Sequence, residues 1–339
     1  MPAEDHLPQN RRDALRGRSV CVTGGAGFIG GHLTEALLRL GARVAVIDDL
    51  SNAGFDLPAA LLDRWSENFR FVHASILERR ALAEAVEGAD VVFHLAAMSS
   101  VPRSVEEPER SFEVNAAGTV RVLEAARAAG VRRLVYSASS SAYGDAPTLP
   151  KVETMRPDPL SPYAAGKLAG EEAVAAWSRC YPLEGISLRY FNIFGPRQPA
   201  DSPYSGVVAA FARRLLSGQR PVIHGDGEQT RDFTYVDNAV LANLLAATAI
   251  PHPGELRGQV VNVGSGERIS INDLARLMAE AAGRPDLAPE HLPPRAGDVR
   301  DSLADIAAAE LLLGYRPLAT LRQGLEPTLA WYREQYAAA

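Results

Sequence analysis

Tyr163 and Lys167 stand four residues apart in the run Tyr163-Ala-Ala-Gly-Lys167. On a helix, that spacing puts a phenol and an ammonium on one face. A tyrosine near pKa 10 is a poor base at neutral pH, but a fixed cation beside it stabilises the phenolate and lowers that value. The pair can then take a proton from an alcohol. Ser139 follows the strand-like run Arg133-Leu-Val-Tyr-Ser137, and its hydroxyl can donate a hydrogen bond to the same alcohol oxygen. Taken alone, tyrosine and lysine at this spacing commonly form an ordinary surface pair. A nicotinamide site upstream is what makes them a candidate redox couple.

A glycine cluster supplies that upstream signal. Gly24, Gly27 and Gly30 fall three apart directly after the β-rich run Ser19-Val-Cys-Val-Thr23, and Gly25-Ala-Gly27-Phe-Ile-Gly30 also fits G-x-G-x-x-G. One glycine permits the tight turn, one lets backbone amides approach a pyrophosphate, and one lets the helix pack on the sheet. The helix start adds its dipole and free N–H groups. Asp48 ends the next strand, 18 residues beyond Gly30, and Asp49 follows it. A carboxylate there accepts hydrogen bonds from a ribose 2′-OH and repels a 2′-phosphate, so the expected cofactor is NAD, not NADP. The bland alternative is a surface acid in a turn.

Groups so placed need alternating strands and helices. Residues 19–48 read as strand, glycine turn, helix (apolar spacing from His32 to Leu40) and strand, a βαβ unit. Further strands are expected at 70–73, 90–95, 133–137 and 186–191, with helices at about 78–87, 116–129 and 162–179. Repeated β-then-α order implies an α/β fold, a Rossmann-type doubly wound parallel sheet. After about residue 192 prolines break the chain around helices at 205–217 and 271–282, while 260–264 reads as a strand returning to the sheet. The expected division is a loose polar lead at 1–17, then a cofactor domain of 18–192 plus about 233–264. A smaller, irregular α/β substrate-binding domain would comprise about 193–232 plus 265–339.

The composition agrees with such an enzyme. The 339 residues carry a net charge of −6, with 47% hydrophobic and 22% charged residues, which excludes collagen, coiled coil and wholesale disorder. A mildly acidic chain has no bulk attraction for nucleic acid or anionic membrane. No apolar leader or 18-residue apolar run is present, and the two cysteines, Cys21 and Cys180, fit a reducing cytoplasm. The seven histidines are scattered without ligand spacing, so no metal is expected.

Six segments together carry a resemblance, in order along the chain. They are Thr23-Gly-Gly-Ala-Gly-Phe-Ile-Gly30, His94-Leu-Ala-Ala97, Ser139-Ser-Ser-Ala-Tyr-Gly144, Tyr163-x-x-x-Lys167, Arg189-Tyr-Phe-Asn-Ile-Phe-Gly195 and Gly225-Asp-Gly-Glu-Gln-Thr-Arg-Asp-Phe233. The chain resembles extended short-chain dehydrogenases/reductases, and among them the nucleotide-sugar 4-epimerases. That resemblance implies proton abstraction from the sugar O4 by Tyr163, hydride transfer from C4 to NAD, and hydride return to the other face of a 4-keto sugar. Lys167 would tune the tyrosine and hold the nicotinamide ribose, and Ser139 would bridge O4. It also implies cofactor contacts from Gly24, Gly27, Phe28, Ile29, Gly30, Asp48, Asn52, Ser75, Ile76, Leu95, Ala96, Ala97, Asn115 and Tyr190. Ser75 departs from the aspartate that members commonly place there for the adenine amino group.

Within the family, 4,6-dehydratases place an Asp–Glu pair directly after the residue at position 139, and sugar-acid decarboxylases place a glutamate two before the tyrosine of Tyr143-Gly144. Here Ser140 and Ser141 stand there, and serine without a partner base does no acid/base work at neutral pH, which favours simple epimerisation. The resemblance further implies diphosphate clamps from Arg231 and Arg295, a ribose contact from Asp298, and sugar or nucleotide contacts from Ser99, Ser100, Asn192, Gly206, Val207 and Val208. Ser302 matches a position where a tyrosine narrows the pocket in members limited to glucose and galactose. The segments Ser100-Val-Pro-Arg-Ser104 and Ser139 to Pro150 look most like UDP-N-acetylglucosamine epimerases, so the expected substrate pair is UDP-GlcNAc/UDP-GalNAc, with UDP-Glc/UDP-Gal also accepted; serine at 302 implies tolerance, not preference. UDP-glucuronate epimerisation, dehydration or decarboxylation, and a non-catalytic NAD-binding regulator are the alternatives. Helices at about 104–129 and 161–179 resemble those that pair in the family's homodimer.

Overall fold

The computed structural model describes residues 2–52, 57–200, 206–250, 256–294 and 299–337. Its centre is a seven-stranded, wholly parallel sheet. The strands are β1 (Ser19–Thr23), β2 (Arg43–Asp48), β3 (Phe69–His73), β4 (Val91–His94), β5 (Arg133–Ser139), β6 (Glu184–Tyr190) and β7 (Arg257–Val263). Their spatial order is β7-β6-β5-β4-β1-β2-β3. The order reverses between β1 and β4, the switch point where open α/β sheets bind ligands beyond their carboxyl ends. Strands buried on both faces read as continuous apolar runs, as in β4, where all four residues are buried.

Helices α1 (Gln9–Leu15), α2 (Phe28–Arg39), α3 (Leu57–Trp65), α4 (Arg79–Val86), α5 (Val101–Glu106), α6 (Pro108–Phe112), α7 (Gly118–Ala128) and α8 (Pro162–Cys180) belong to the first half of the chain. The second half adds α9 (Val207–Leu216), α10 (Val236–Thr248), α11 (Ile271–Ala281), α12 (Ala307–Leu313) and α13 (Leu321–Ala337). One sheet face packs on α2 and α10 through Leu33, Leu37, Val240 and Leu244. The other packs on α4, α7 and α8 through Leu82, Leu123 and Val174. Each fully buried leucine among them contributes roughly 1.5–3 kcal/mol. A separate apolar cluster around Phe194, Phe211, Phe233, Leu274, Met278 and Tyr332 unites α9, α11 and α13.

Three expectations change. The lead expected at 1–17 is not loose over its described residues: Ala3, Leu7 and Leu15 are buried, and Arg11 Nη1 donates to the Leu245 carbonyl of α10 at 3.1 Å. Three apolar residues in a polar segment suffice to seat it because each meets the same core. Helix α2 begins at Phe28, not near His32, because Gly30 and Gly31 hide the apolar period that marks its first turn. The expected helix at 116–129 is preceded by a π-helical turn, Glu113–Ala117, a feature often found at functional sites.

Candidate active site

Beyond β1, the glycines divide their work as the spacing suggests. Gly24 adopts φ +72°, and a Cβ there would lie 2.6 Å from the Ala96 nitrogen. A Cβ at Gly30 would fall 2.0 Å from the Gly24 carbonyl oxygen, so any side chain would push α2 off the loop. Gly27 faces only that carbonyl, at 3.3 Å. It precedes α2, whose first turn has no side-chain cap, leaving amides and the positive dipole end for an anion. Asp48 accepts from Ala26 N at 3.0 Å and Leu50 N at 2.9 Å. Burial raises its pKa, while these amide bonds pull it back. A carboxylate anchored to the glycine loop, an uncapped helix start and a loop closed to any Cβ fit a dinucleotide.

The wall opposite is the end of β4. Leu95 N donates to the Thr23 carbonyl, and Ala96 N donates to Thr23 Oγ1. His94 is buried between Thr23 Oγ1 at 2.7 Å and Thr119 Oγ1 at 3.0 Å, and burial lowers its pKa to about 3. It is a neutral packing group at the strand end. Asn115, in the π-turn, accepts from Met98 N at 2.9 Å and donates to Met98 O at 3.2 Å. Its polar atoms therefore pin the segment after Ala97 that leads to Ser99 and Ser100. Ser100 caps α5, accepting from Arg103 N at 3.1 Å.

Ser139 ends β5, where its Oγ accepts from the Ser141 hydroxyl at 2.8 Å. Tyr163 and Lys167 occupy the first two turns of α8, a helix capped by Ser161 with Pro162 in its first turn, a combination that sets a helix start. Burial raises the Tyr163 pKa, and a hydrogen bond with Ser139 lowers it. Lys167 is buried with its ammonium 4.5 Å from the Tyr136 ring centroid. Burial lowers its pKa to about 7, against the pull of Glu171. For Tyr163 desolvation outweighs the hydrogen bond, and the same burial works against the charged form of Lys167.

Other expected contacts sort by where their polar atoms go. The Tyr190 hydroxyl accepts from Asn243 Nδ2 of α10 at 2.7 Å. The Val208 side chain packs in the second apolar cluster, and its main-chain amide stands in the first turn of α9, which has no side-chain cap. Val207 lies at that cluster's edge beside Gly206, the residue preceding α9. Ser75 Oγ accepts from Leu77 N at 3.3 Å, closing its own turn; Ile76 is buried against Gly118, and Asn52 is exposed in the loop after β2. Asn192, at φ 35°, donates to the Asp232 carbonyl at 2.8 Å. Arg231 Nη1 donates to the Thr230 and Arg300 carbonyls, and Ser302 N donates to the Thr230 carbonyl at 3.1 Å. Arg231 and Ser302 thus share one strap. Arg295 and Asp298 lie outside the described residues.

Sequence reading passed over the residues behind the couple. Glu171, four beyond Lys167 on the same helix, binds Arg189 of β6 through two hydrogen bonds at 2.6 and 2.9 Å, with both groups buried. The i to i+4 spacing was the available signal. Among the described residues, no group of three His, Cys, Asp or Glu is placed to hold a metal ion, and no helix is long and apolar enough to cross a membrane.

Comparison with known proteins adds a family. Residues 20–264 match the model of the NAD dependent epimerase/dehydratase family. The chain is 41% identical over 316 residues to a UDP-glucose 4-epimerase of Mycolicibacterium smegmatis, covering 93% of this chain and 98% of that protein. It resembles the structure of a UDP-N-acetylglucosamine 4-epimerase from Methanobrevibacter ruminantium in complex with UDP-N-acetylmuramic acid. That match has a TM-score of 0.87 and 35% identity, and covers 94% of this chain and 99% of that one. A UDP-glucose 4-epimerase from Thermotoga maritima with UDP-glucose matches at TM-score 0.86 and 37% identity, with the same coverage.

Proposed function

The chain belongs to the NAD dependent epimerase/dehydratase family, and from that premise we propose that it inverts C4 of UDP-N-acetylglucosamine and UDP-N-acetylgalactosamine while also accepting UDP-glucose and UDP-galactose. It is an NAD-dependent nucleotide-sugar epimerase. The reading rests above all on one arrangement: Ser139, Tyr163 and the buried Lys167 gathered at the carboxyl end of β5, with Ser140 and Ser141 where elimination or decarboxylation needs acids.

NAD, when bound, supplies the hydride acceptor and donor and a positive ring charge. Gly24, Gly27 and Gly30 would cradle its pyrophosphate, and Asp48 would take a ribose hydroxyl. Tyr163 removes the proton of the sugar O4 hydroxyl as the C–H bond breaks and returns it when the opposite face is reduced. Lys167, as ammonium, favours the phenolate. Ser139 donates to the sugar oxygen and keeps it aligned with the phenol. Arg231 and the amides opening α9 at Gly206 are suited to the diphosphate. Serine at 302, with Ser99 and Ser100, supports admission of an acetamido group.

The protein is also proposed to be a homodimer through α5, α6 and α8. Val105 and Phe112 are 64% and 51% exposed, and Leu160, just before α8, is 49% exposed. Sedimentation as a monomer at assay concentration would remove that proposal. The function itself is tested by incubating the protein with UDP-GlcNAc, UDP-glucose and UDP-glucuronate and identifying products by NMR. C4 epimers of the first two are expected. Turnover of the glucuronate alone, release of CO₂, a 4-keto-6-deoxy product, or no inversion with any substrate would overturn the reading.

A further inference from the structure

Behind the catalytic couple lies an ion pair that stability alone does not account for. Glu171 Oε1 and Oε2 accept from Arg189 Nη2 and Nε at 2.6 and 2.9 Å, and both side chains are buried. The guanidinium lies 4.6 Å from the Tyr143 ring centroid. The Tyr143 hydroxyl in turn donates to Asn262 Oδ1 at 2.6 Å, and Glu153 accepts from Asn262 N at 2.7 Å. Replacing such a pair by apolar groups of similar volume is often neutral or stabilising. Its position has another consequence, since Glu171 is the i+4 neighbour of Lys167 and side chains so spaced stand roughly 5–6 Å apart at Cβ.

The other groups around Lys167 offer little fixed charge. Tyr163 shares its helix, and Tyr136 of β5 lies under the ammonium with its hydroxyl donating to the Lys167 carbonyl. His94 of β4 is held neutral by burial. The π-turn packs Asn115 against Gly166, and β7 brings Gly258 against Ala175. Helices α5 and α6 contribute Arg103–Glu107 and Arg110–Glu113, which are solvent-facing ion pairs. Glu171 is thus the buried anion on the lysine's own helix face, and Arg189 is its counter-ion.

We propose that Glu171 and Arg189 are positioning residues for the proton-transfer couple, a charge-balanced pair that fixes how much positive charge Lys167 carries beside Tyr163. The proposal rests on the reading of Tyr163 and Lys167 given above. The two groups titrate as a coupled unit. The doubly protonated couple has a neutral phenol and an ammonium; the working couple has one proton fewer, as phenolate and ammonium. Removing the Glu171 charge destabilises the doubly protonated form most, so the couple gives up its first proton at lower pH. It also shifts the singly protonated couple toward neutral phenol and neutral amine, so the plateau rate falls.

The test is the pH profile of kcat for UDP-glucose inversion. Glu171→Gln should move the acid limb down by about one pH unit and lower the plateau by roughly tenfold. In the double variant Glu171→Gln/Arg189→Met, which removes both charges, the limb should return to within a few tenths of its original position. A purely structural role predicts the reverse order: an unmoved limb in the single variant and a more damaged double variant. Either result overturns the proposal. Should Glu171→Gln fail to fold, Arg189→Met decides instead: with the counter-ion gone, the uncompensated Glu171 carboxylate favours the ammonium and should move the acid limb up, and an unmoved limb there would overturn the proposal. Failure of the underlying reading looks different: Tyr163→Phe would still turn over, or the wild-type protein would show no acid limb.

Discussion

At the amino end of the main sheet a cavity of about 660 Å³ opens among Arg11, Arg18, Asp90, Arg133, Glu184 and Ala249. At the carboxyl end Ser139, Tyr163 and Lys167 gather near the glycine loop. The first region is roomy and rich in arginines, yet its polar groups finish the fold. Arg133 donates to the carbonyls of Ala247 and Ala249 at 2.8 and 2.9 Å, capping α10, and also binds Glu184. Arg11 donates to Leu245 O of the same helix end, and Arg18 pairs with Asp90 at 3.3 Å. At the carboxyl end the donors are backbone amides at an uncapped helix start, and the titratable groups have shifted pKa values. Volume is a poorer guide to chemistry than whether polar groups are already committed: burial also shifts Arg11 and Arg133, yet their hydrogen bonds are spent on the end of α10.

Substitutions at each end can break this contrast. The largest effect is expected for Tyr163→Phe, which should lower kcat by roughly 10³-fold or more while NAD remains bound. Steady-state turnover with cofactor retention checks it, and near-normal turnover would take the chemistry away from this edge. Arg133→Met should behave oppositely, with kcat kept within about twofold but unfolding stability lower by about 2–3 kcal/mol, because the α10 carbonyls lose their donor. Denaturant midpoints measure this, and loss of activity in a folded, stable variant would give the amino edge a functional role. The smallest effect concerns Ser302→Tyr, which should reduce kcat/KM for UDP-GlcNAc about tenfold more than for UDP-glucose. Equal losses would remove Ser302 from the pocket wall.

The two halves of the site differ in how far the sequence reveals them. The alternation of strands and helices, the glycine turn, Asp48 at a strand end and the Tyr163–Lys167 spacing were all readable, because each depends on local stereochemistry or on a single helix turn. Helix α10 was not, since its residues from Asn238 to Thr248 are all buried and an all-round apolar helix has no amphipathic period. The seating of residues 2–15 also escaped notice, because three scattered apolar residues carry no pattern. Motif position also does not show that the register of α9 turns the Val208 side chain into the apolar cluster.

Residue types and short spacings alone determined the family of chemistry: a dinucleotide turn needs glycines where a Cβ collides, and a phenol needs a nearby cation. Tertiary structure decided the electrostatics. Whether Lys167 holds its proton depends on desolvation beneath α8 and on Glu171 balanced by Arg189, two residues 18 positions apart. Burial and through-space charge belong to the packed fold, and no local spacing encodes them.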